Sequence, residues 1–296
     1  MPNFRDDSKI TVSCGDGFKL VDFDTCYTSS YTDIEAAKED LKKDIEKNSR
    51  YQEKQYAEGR HAILIIFQAM DGAGKDSTIK HVMTGLNPQS VHVTSFKKPS
   101  LTELAHDFLW RTSLHLPERG HISIFNRSYY EEVLVCKVHP EFILGQKIAD
   151  IKTLKDIDEK FWEKRYESIR EHEKHLHRNG TTVVKFFLHV SKEEQKKRFL
   201  ERINDPEKNW KYNSADIAER EHWDKYMDAY EQSIKETATE HAPWHIIPAD
   251  NKWFMQMAVG DILHDVFKSL DLQFPVLSEK ESAGLAEAKD QLLRNL

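Results

Sequence analysis

The chain has 296 residues, 39% of them hydrophobic and 31% charged, with a formal net charge of −7. That length suits one large domain, or one domain with a sizeable lid. The acidic balance disfavours a general nucleic-acid binder, although a local basic channel can still receive a polyanion, and no apolar run approaches the roughly 18 residues of a membrane span. The opening MPNFRDDSKI lacks the apolar stretch of a secretory signal. Cys14, Cys26 and Cys136 are odd in number and have no metal-type spacing, so they read as reduced thiols of a cytoplasmic protein. The 15 histidines are scattered, and nearly all read as surface residues.

Residues 1–30 are mixed in character and read as a peripheral N-terminal segment. Residues 33–58, rich in Ala, Glu, Lys and Asp, read as a helix. The run His61-Ala-Ile-Leu-Ile-Ile-Phe67 is continuously apolar and stops at a Gly-rich turn, the pattern of a buried parallel strand. A helical stretch to about Met83 follows. Further strands are expected at 91–96, 121–125, 182–190 and 244–247, with helices at roughly 101–115, 152–178, 191–203, 214–238 and 252–270. Strands alternating with helices imply a parallel sheet covered on both faces. The stretch at 152–178 carries Leu154, Ile157, Phe161, Trp162, Tyr166, Ile169 and Leu176, an apolar stripe that fits core packing or a subunit interface. The tail at 276–296 is charged and helix-prone, and is expected at the periphery.

The string Ala69-Met-Asp-Gly-Ala-Gly-Lys-Asp-Ser-Thr78 lies between a predicted strand and a predicted helix, the context a phosphate-binding loop requires. Small residues at Gly72, Ala73 and Gly74 let backbone N–H groups turn inward, and the helix start favours phosphate oxygens. Lys75 can place a positive charge against a transferring phosphoryl group. The usual first Gly is Ala69, and the usual Ser or Thr after the Lys is Asp76, with Ser77 and Thr78 following. The hydroxyl that ordinarily meets Mg²⁺ is therefore displaced, and Asp71 is a candidate hard-oxygen ligand in its place.

A second element, His121-Ile-Ser-Ile-Phe-Asn-Arg-Ser128, is an apolar strand that ends in Asn126 where a metal-side Asp is usual. Asn126 is a neutral candidate ligand, and Arg127 sits at the strand's C-terminal end, where ligands bind in open α/β sheets. A third element runs from Lys196-Lys-Arg-Phe-Leu-Glu-Arg202 to Asn204-Asp-Pro-Glu-Lys-Asn-Trp-Lys211. Arg198 and Arg202 are four apart on a helix and share a face, and Lys208 and Lys211 follow. In an acidic chain this cluster suits a lid, within about 191–215, that closes over phosphates.

At these elements the chain resembles the polyphosphate kinase 2 family. The matching strings are Phe67-Gln-Ala-Met-Asp-Gly-Ala-Gly-Lys-Asp76, Phe125-Asn-Arg-Ser-Tyr-Tyr-Glu-Glu-Val-Leu134, Lys208-Asn-Trp-Lys211, Met83-Thr-Gly-Leu-Asn-Pro88 and Ala242-Pro-Trp. They span roughly residues 15–275. Asn126 resembles the class III branch; other branches mostly carry Asp there. The resemblance implies one P-loop kinase domain over 1–296, similar to thymidylate kinase: three α/β/α layers, a five-stranded parallel sheet and a helical lid. It implies transfer of the terminal phosphoryl group of inorganic polyphosphate to AMP, ADP or other purine nucleotides, reversibly, with Mg²⁺ (Mn²⁺ as an alternative), in a homodimer or homotetramer. It implies catalytic roles for Asp71, Lys75 and Arg127, metal contact by Asp71 and Asn126, and lid contacts by Arg198, Arg202, Lys208 and Lys211. Lys97 and Arg111 fall on the nucleotide side. Glu131 is either near the nucleotide or a helix-surface residue.

Direct in-line transfer is the expected mechanism, because phosphoryl transfer asks the protein mainly for positioning and charge neutralisation. Two other readings fit the loop alone: a nucleotide kinase that uses ATP as donor, and a P-loop switch or scaffold without turnover. The displaced Ser/Thr and the missing strand-end Asp favour the latter, and the basic lid disfavours it.

Overall fold

The computed structural model describes residues 4–31 and 33–294; Thr32, residues 1–3 of the expected N-terminal segment and residues 295–296 of the expected tail lie outside the described residues. In chain order the elements are β1 (Thr11–Val12), α1 (Ile34–Glu58), β2 (Ala62–Ala69), α2 (Lys75–Val82), β3 (Val91–Ser95), α3 (Leu101–Leu104), α4 (Trp110–Ser113) and β4 (Ile122–Asn126). They continue with α5 (Val135–Val138), α6 (Glu141–Leu144), α7 (Glu159–Arg178), β5 (Thr181–His189), α8 (Lys192–Asn204) and α9 (Ser214–Glu219). The chain closes with α10 (Trp223–Thr237), β6 (Trp244–Pro248), α11 (Lys252–Ser269) and α12 (Glu279–Arg294).

The sheet order is β1-β6-β5-β2-β4-β3. Five strands are parallel, as expected, and β1 adds an antiparallel edge through Thr11 opposite His245 and Val12 opposite Trp244. Every residue of β2 is buried, so both faces of the sheet are covered there, as an all-apolar parallel strand requires. Helices α1, α2 and α11 pack together as one group, and α5, α7 and α10 as another. The chain leaves β2 through α2, passes over β4 to the far edge at β3, and later returns to β5 on the other side of β2. The C-terminal end of β2 is thus the point where strand order reverses, and the loop after it opens into a crevice.

Several boundaries differ from expectation, each for a local reason. The long helix starts at Glu159 rather than near 152, because Asp158 caps it by accepting from the Phe161 N–H at 3.0 Å. Ahead of it, Asp156 folds back onto the N–H groups of Lys152 and Thr153 and closes a separate turn. The expected helix at 101–115 is two single turns, and Asp107 accepts from Leu109 N–H between them. The expected helix at 214–238 is α9 and α10 joined by a 3-10 turn at Arg220–His222. The N-terminal segment is not peripheral: Phe4, Ile10, Val12, Phe18 and Leu20 are buried in the main core. Helix α12 does lie at the periphery, with no buried residue. The α7 stripe faces β5 and α10 and buries Trp162, Tyr166, Ile169 and Leu176, so core packing accounts for it.

A charged pair sits inside this core. Lys185 of β5 and Glu173 of α7 are fully buried, with Nζ and Oε2 2.7 Å apart. Lys185 Nζ also donates to Tyr130 Oη and the Thr237 carbonyl at 3.0 and 2.9 Å. Glu173 Oε1 accepts from the hydroxyls of Tyr129 and Tyr130 at 2.9 and 2.8 Å. Burial pushes the Lys185 ammonium below its usual range and Glu173 pulls it back; both tyrosines are held well above theirs by burial and by the same carboxylate. Removing one partner of such a pair leaves an uncompensated charge, at a cost of about 3–5 kcal/mol. Lys185→Met should therefore lower stability by about that amount in urea denaturation, and adding Glu173→Gln should regain part of it. A Lys185→Met protein as stable as the parent contradicts this account.

Candidate active site

The loop after β2 curls because two of its residues adopt left-handed backbone. Gly72 has φ +84° and Gly74 has φ +108°, a region that L side chains avoid. A Cβ on Gly72 would also stand 3.0 Å from the Phe199 ring. Gly74 then caps α2, whose first residue is Lys75. Lys75 is 9% exposed, and its Nζ donates to the Ala69 carbonyl at 2.8 Å, across the mouth of the loop. Burial lowers the Lys75 pKa, and Asp71 acts against that shift.

Arg127 closes the site from β4. Its backbone N–H continues the ladder by donating to the Phe67 carbonyl at 3.1 Å. It then turns into the left-handed region with φ +64°, a conformation that costs a non-glycine residue about 1–2 kcal/mol. Its Nη2 lies 2.6 Å from Asp71 Oδ1, and its Nη1 lies 3.7 Å from Glu131 Oε2. Burial acts to raise the Asp71 carboxyl, but Lys75 and Arg127 together outweigh it and hold the pKa below the usual range. Glu131 is raised by burial, with Arg127 and Lys75 opposing. Buried Gln68 completes the cluster: in the orientation that satisfies its neighbours it donates to Glu131 Oε1 at 2.9 Å and accepts from Ser128.

Two of the departures from the usual pattern, Asp76 and Asn126, meet each other. Asn126 Nδ2 donates to Asp76 Oδ1 at 2.6 Å, so the amide stands where a second carboxylate would repel. The hydroxyls of Ser77 and Thr78 both donate to the Gly74 carbonyl, at 2.8 and 3.0 Å. Among the described residues no group of three or more His, Cys, Asp or Glu could hold a metal by itself. A pair of carboxylates with a neutral amide is, however, a hard-oxygen set of the kind Mg²⁺ uses when substrate phosphates supply the other ligands. Asp71, Asp76 and Asn126 fit that description.

A cleft of about 620 Å³ opens beside the loop, within the range of small-molecule sites. Asp71, Lys97, Arg111, Arg127 and Glu131 all line it, so five of the expected residues share one cavity. Arg111 is held by the Lys97 carbonyl at 2.9 Å and lies over the Phe96 ring. Arg202 lies on the lid side, with its guanidinium 3.9 Å from Asp216 Oδ2. Lys208 is exposed and paired with Asp205, and Lys211 is exposed beside the Trp210 ring; neither lines the cleft. Arg198 departs from its expected place. It is 4% exposed and its guanidinium faces the loop backbone, donating to the carbonyls of Gly72, Ala73, Ala249 and Asp250 and to Glu194. Its helix face packs down onto the loop, away from the open side of the lid. Gln68, Gln195 and Asp216 were not singled out from sequence; a neutral amide or a lone acid on a helix gives no signal until its partners are known.

Comparison with known proteins adds a family to this geometry. The family profile described as Polyphosphate kinase 2 matches residues 30–275. An ADP-polyphosphate phosphotransferase of Rhodopseudomonas palustris is 50% identical over 86% of this chain and 87% of its own. An AMP/ADP-polyphosphate phosphotransferase of Meiothermus ruber is 44% identical over 87% of this chain and 91% of its own. The crystal structure of polyphosphate kinase 2 from Arthrobacter aurescens TC1 superposes with a TM-score of 0.84 at 39% identity, covering 95% of this chain and 96% of that one.

The charge balance in the cluster is testable without substrate. Removing the guanidinium in Arg127→Ala leaves burial opposed only by Lys75 and, more weakly, Arg202, so the Asp71 pKa should move upward. The stabilisation that the cations give ionised Asp71 is present above the ordinary carboxylate range and is lost as pH falls through the lowered folded value; in the variant the part that Lys75 and Arg202 still supply should be smaller and lost at higher pH. Carboxylate ¹³C titration by NMR reads the shift, and an unmoved Asp71 would refute the coupling.

Proposed function

The chain belongs to the polyphosphate kinase 2 family, and from that premise we propose that it moves the terminal phosphoryl group of inorganic polyphosphate onto nucleoside mono- and diphosphates, AMP to ADP and ADP to ATP, reversibly. The observation that carries the reading is the placement of Arg127, paired with Asp71 and Glu131, on the wall of a cleft of nucleotide size, with buried Lys75 in the loop whose Ala69 and Asp71 line the same cleft. In this reading the acceptor nucleotide occupies the cleft, with its phosphates toward Lys97 and Arg111. The donor chain lies along the phosphate-binding loop and the lid, where Arg202, Lys208 and Lys211 neutralise it.

The loop N–H groups and the start of α2 hold the terminal phosphate of the donor. Lys75 releases the Ala69 carbonyl and turns to the bridging and transferring oxygens, and Arg127 stabilises charge on the transferring group. Asp71 orients the attacking acceptor oxygen and, with Asp76 and Asn126, would hold Mg²⁺ or Mn²⁺. Such an ion, when bound, supplies neutralisation of phosphate charge. No covalent intermediate is needed, because donor and acceptor approach from opposite sides of Lys75 and Arg127. The family resemblance supports a cytoplasmic homodimer or homotetramer; among the described residues no helix is long and apolar enough to cross a membrane.

Three tests follow from the assignment. With Mg²⁺ and AMP or ADP, product should form from polyphosphate without ATP; product from ATP alone points instead to an ordinary nucleotide kinase. In the polyphosphate assay Lys75→Ala should lose about 10³-fold or more in turnover, the scale of charge-stabilising residues in phosphoryl transfer, and near-normal turnover removes Lys75 from the mechanism. Arg202→Ala should raise the KM for polyphosphate about 10-fold, as loss of a charged hydrogen bond does, and leave the KM for nucleotide unchanged. The opposite pattern would exchange the donor and acceptor sides.

A further inference from the structure

A loop that turns its N–H groups toward a ligand must turn its carbonyls the other way, because the two lie on opposite edges of each peptide plane. Those outward carbonyls are buried here under α8 and need donors. The structure supplies them from two side chains. Gln195 Nε2 donates to the Asp71 carbonyl at 2.8 Å. Arg198 Nη1 donates to the Gly72 and Ala73 carbonyls at 3.4 and 2.6 Å. Arg198 Nη2 donates to the carbonyls of Ala249 and Asp250, and Nε to Glu194 Oε1 at 2.8 Å. All five N–H groups of the guanidinium are thereby occupied.

We infer that Gln195 and Arg198 are positioning residues that hold three consecutive loop carbonyls outward, so that the loop N–H groups other than that of Ala73, which donates to the Met70 carbonyl at 3.2 Å, face the donor phosphates and the loop is fixed to the helix that leads into the lid. The inference rests on the phosphotransfer reading above. It assigns Arg198 to the backbone of the loop rather than to polyphosphate.

Two further contacts extend the tie. Gln195 Oε1 accepts from Arg220 Nη1, which also donates to the Lys192 carbonyl at 2.7 Å. Arg220 follows α9, so the C-terminal end of the segment between α8 and α10 is tied back to the first turn of α8 at Gln195, and Gln195 reaches the loop. The close fit of Gly72 against Phe199 and Gln195, where a Cβ would stand 3.0 and 3.3 Å away, leaves the loop no room to swing outward. A lysine in place of Arg198 keeps the charge but cannot span four carbonyls. A residue that touched polyphosphate would behave differently: its charge would matter more than its shape.

The test uses the purified enzyme with Mg²⁺, polyphosphate and ADP. Arg198→Lys should lower kcat about 10- to 100-fold, with the KM for polyphosphate within about 3-fold of the parent and its salt dependence unchanged. Gln195→Glu, which removes the donor to Asp71, should show the same kcat-dominated loss. Hydrogen exchange of the amides in 69–78 should be faster in both variants without substrate, while exchange across the core strands is unchanged. Near-parental kcat with a raised polyphosphate KM in Arg198→Lys would make Arg198 a substrate contact and overturn the inference. Parental loop exchange and kcat in Gln195→Glu would overturn it as well, and that variant decides if Arg198→Lys fails to fold. Should the parent enzyme use ATP and not polyphosphate, the donor reading fails, while the kcat split and the exchange pattern, measured with ATP, still decide the positioning role.

Discussion

The site depends on one contact, the 2.6 Å pair between Arg127 and Asp71, because it joins the ends of two strands at the point where the sheet reverses its order. Desolvating a cation near the loop is costly unless an anion accompanies it. Asp71 and Glu131 meet that need for Arg127, and Asp71 does so for Lys75. The cluster is close to electrically balanced without substrate, so it can be buried in an acidic protein and remain folded. In the proposed reaction a polyanion meets a buried Lys75 and a half-buried Arg127, and its phosphates take over the role of the two carboxylates. The low exposure of Lys75 has the same consequence: in water its ammonium would be screened, whereas here it interacts at short range and low dielectric.

The pair Asp76 and Asn126 shows how the loop departs from its usual pattern without losing a carboxylate. A carboxylate at the strand end beside a hydroxyl after the Lys is the ordinary division. Here the carboxylate has moved to the helix start and the neutral group to the strand end, and the two are hydrogen-bonded at 2.6 Å. Changing one position alone would put two carboxylates, or two neutral groups, in contact. The exchange moves negative charge from the end of β4, beside the cleft, to the first turn of α2, where a helix N-terminus favours it.

Much of the architecture could be read from sequence where burial and chain direction act together. The all-apolar β2 and the glycines after it located the loop, and alternation of strands and helices placed the five parallel strands. Short-range side-chain competition was harder to see. Asp107, Asp156 and Asp158 each redirect a backbone that periodicity reads as helical, because an Asx contact to a nearby N–H competes with the helix. The N-terminal segment was misplaced at the periphery because its buried residues, Phe4, Ile10, Val12, Phe18 and Leu20, lack a regular period and make their core contacts far along the chain. In the site, residue type singled out Asp71, Lys75 and Arg127, which the structure brings together. It misdirected the reading of Arg198, since a basic residue on a lid helix looks the same whether it faces solvent phosphates or buried carbonyls; burial separates the two.

The core and the site are linked through the two residues that follow Ser128. Tyr129 and Tyr130 are fixed by hydroxyl bonds to Glu173, and Tyr130 also by Lys185, so the turn that starts with Arg127 is anchored one layer below the cleft. Arg127 sits in a left-handed conformation with no glycine to relieve it, and such strain persists only when the surroundings over-determine it. The Phe67 carbonyl holds its backbone on one side and the buried tyrosines hold the turn on the other. A buried ion pair is a poor source of stability compared with apolar packing, but it holds the hydroxyls of adjacent tyrosines in one arrangement, which a purely apolar contact would leave free to slide. The buried pair thus fixes the two tyrosines, the tyrosines fix the turn, and the turn holds Arg127 in the conformation from which its guanidinium reaches Asp71.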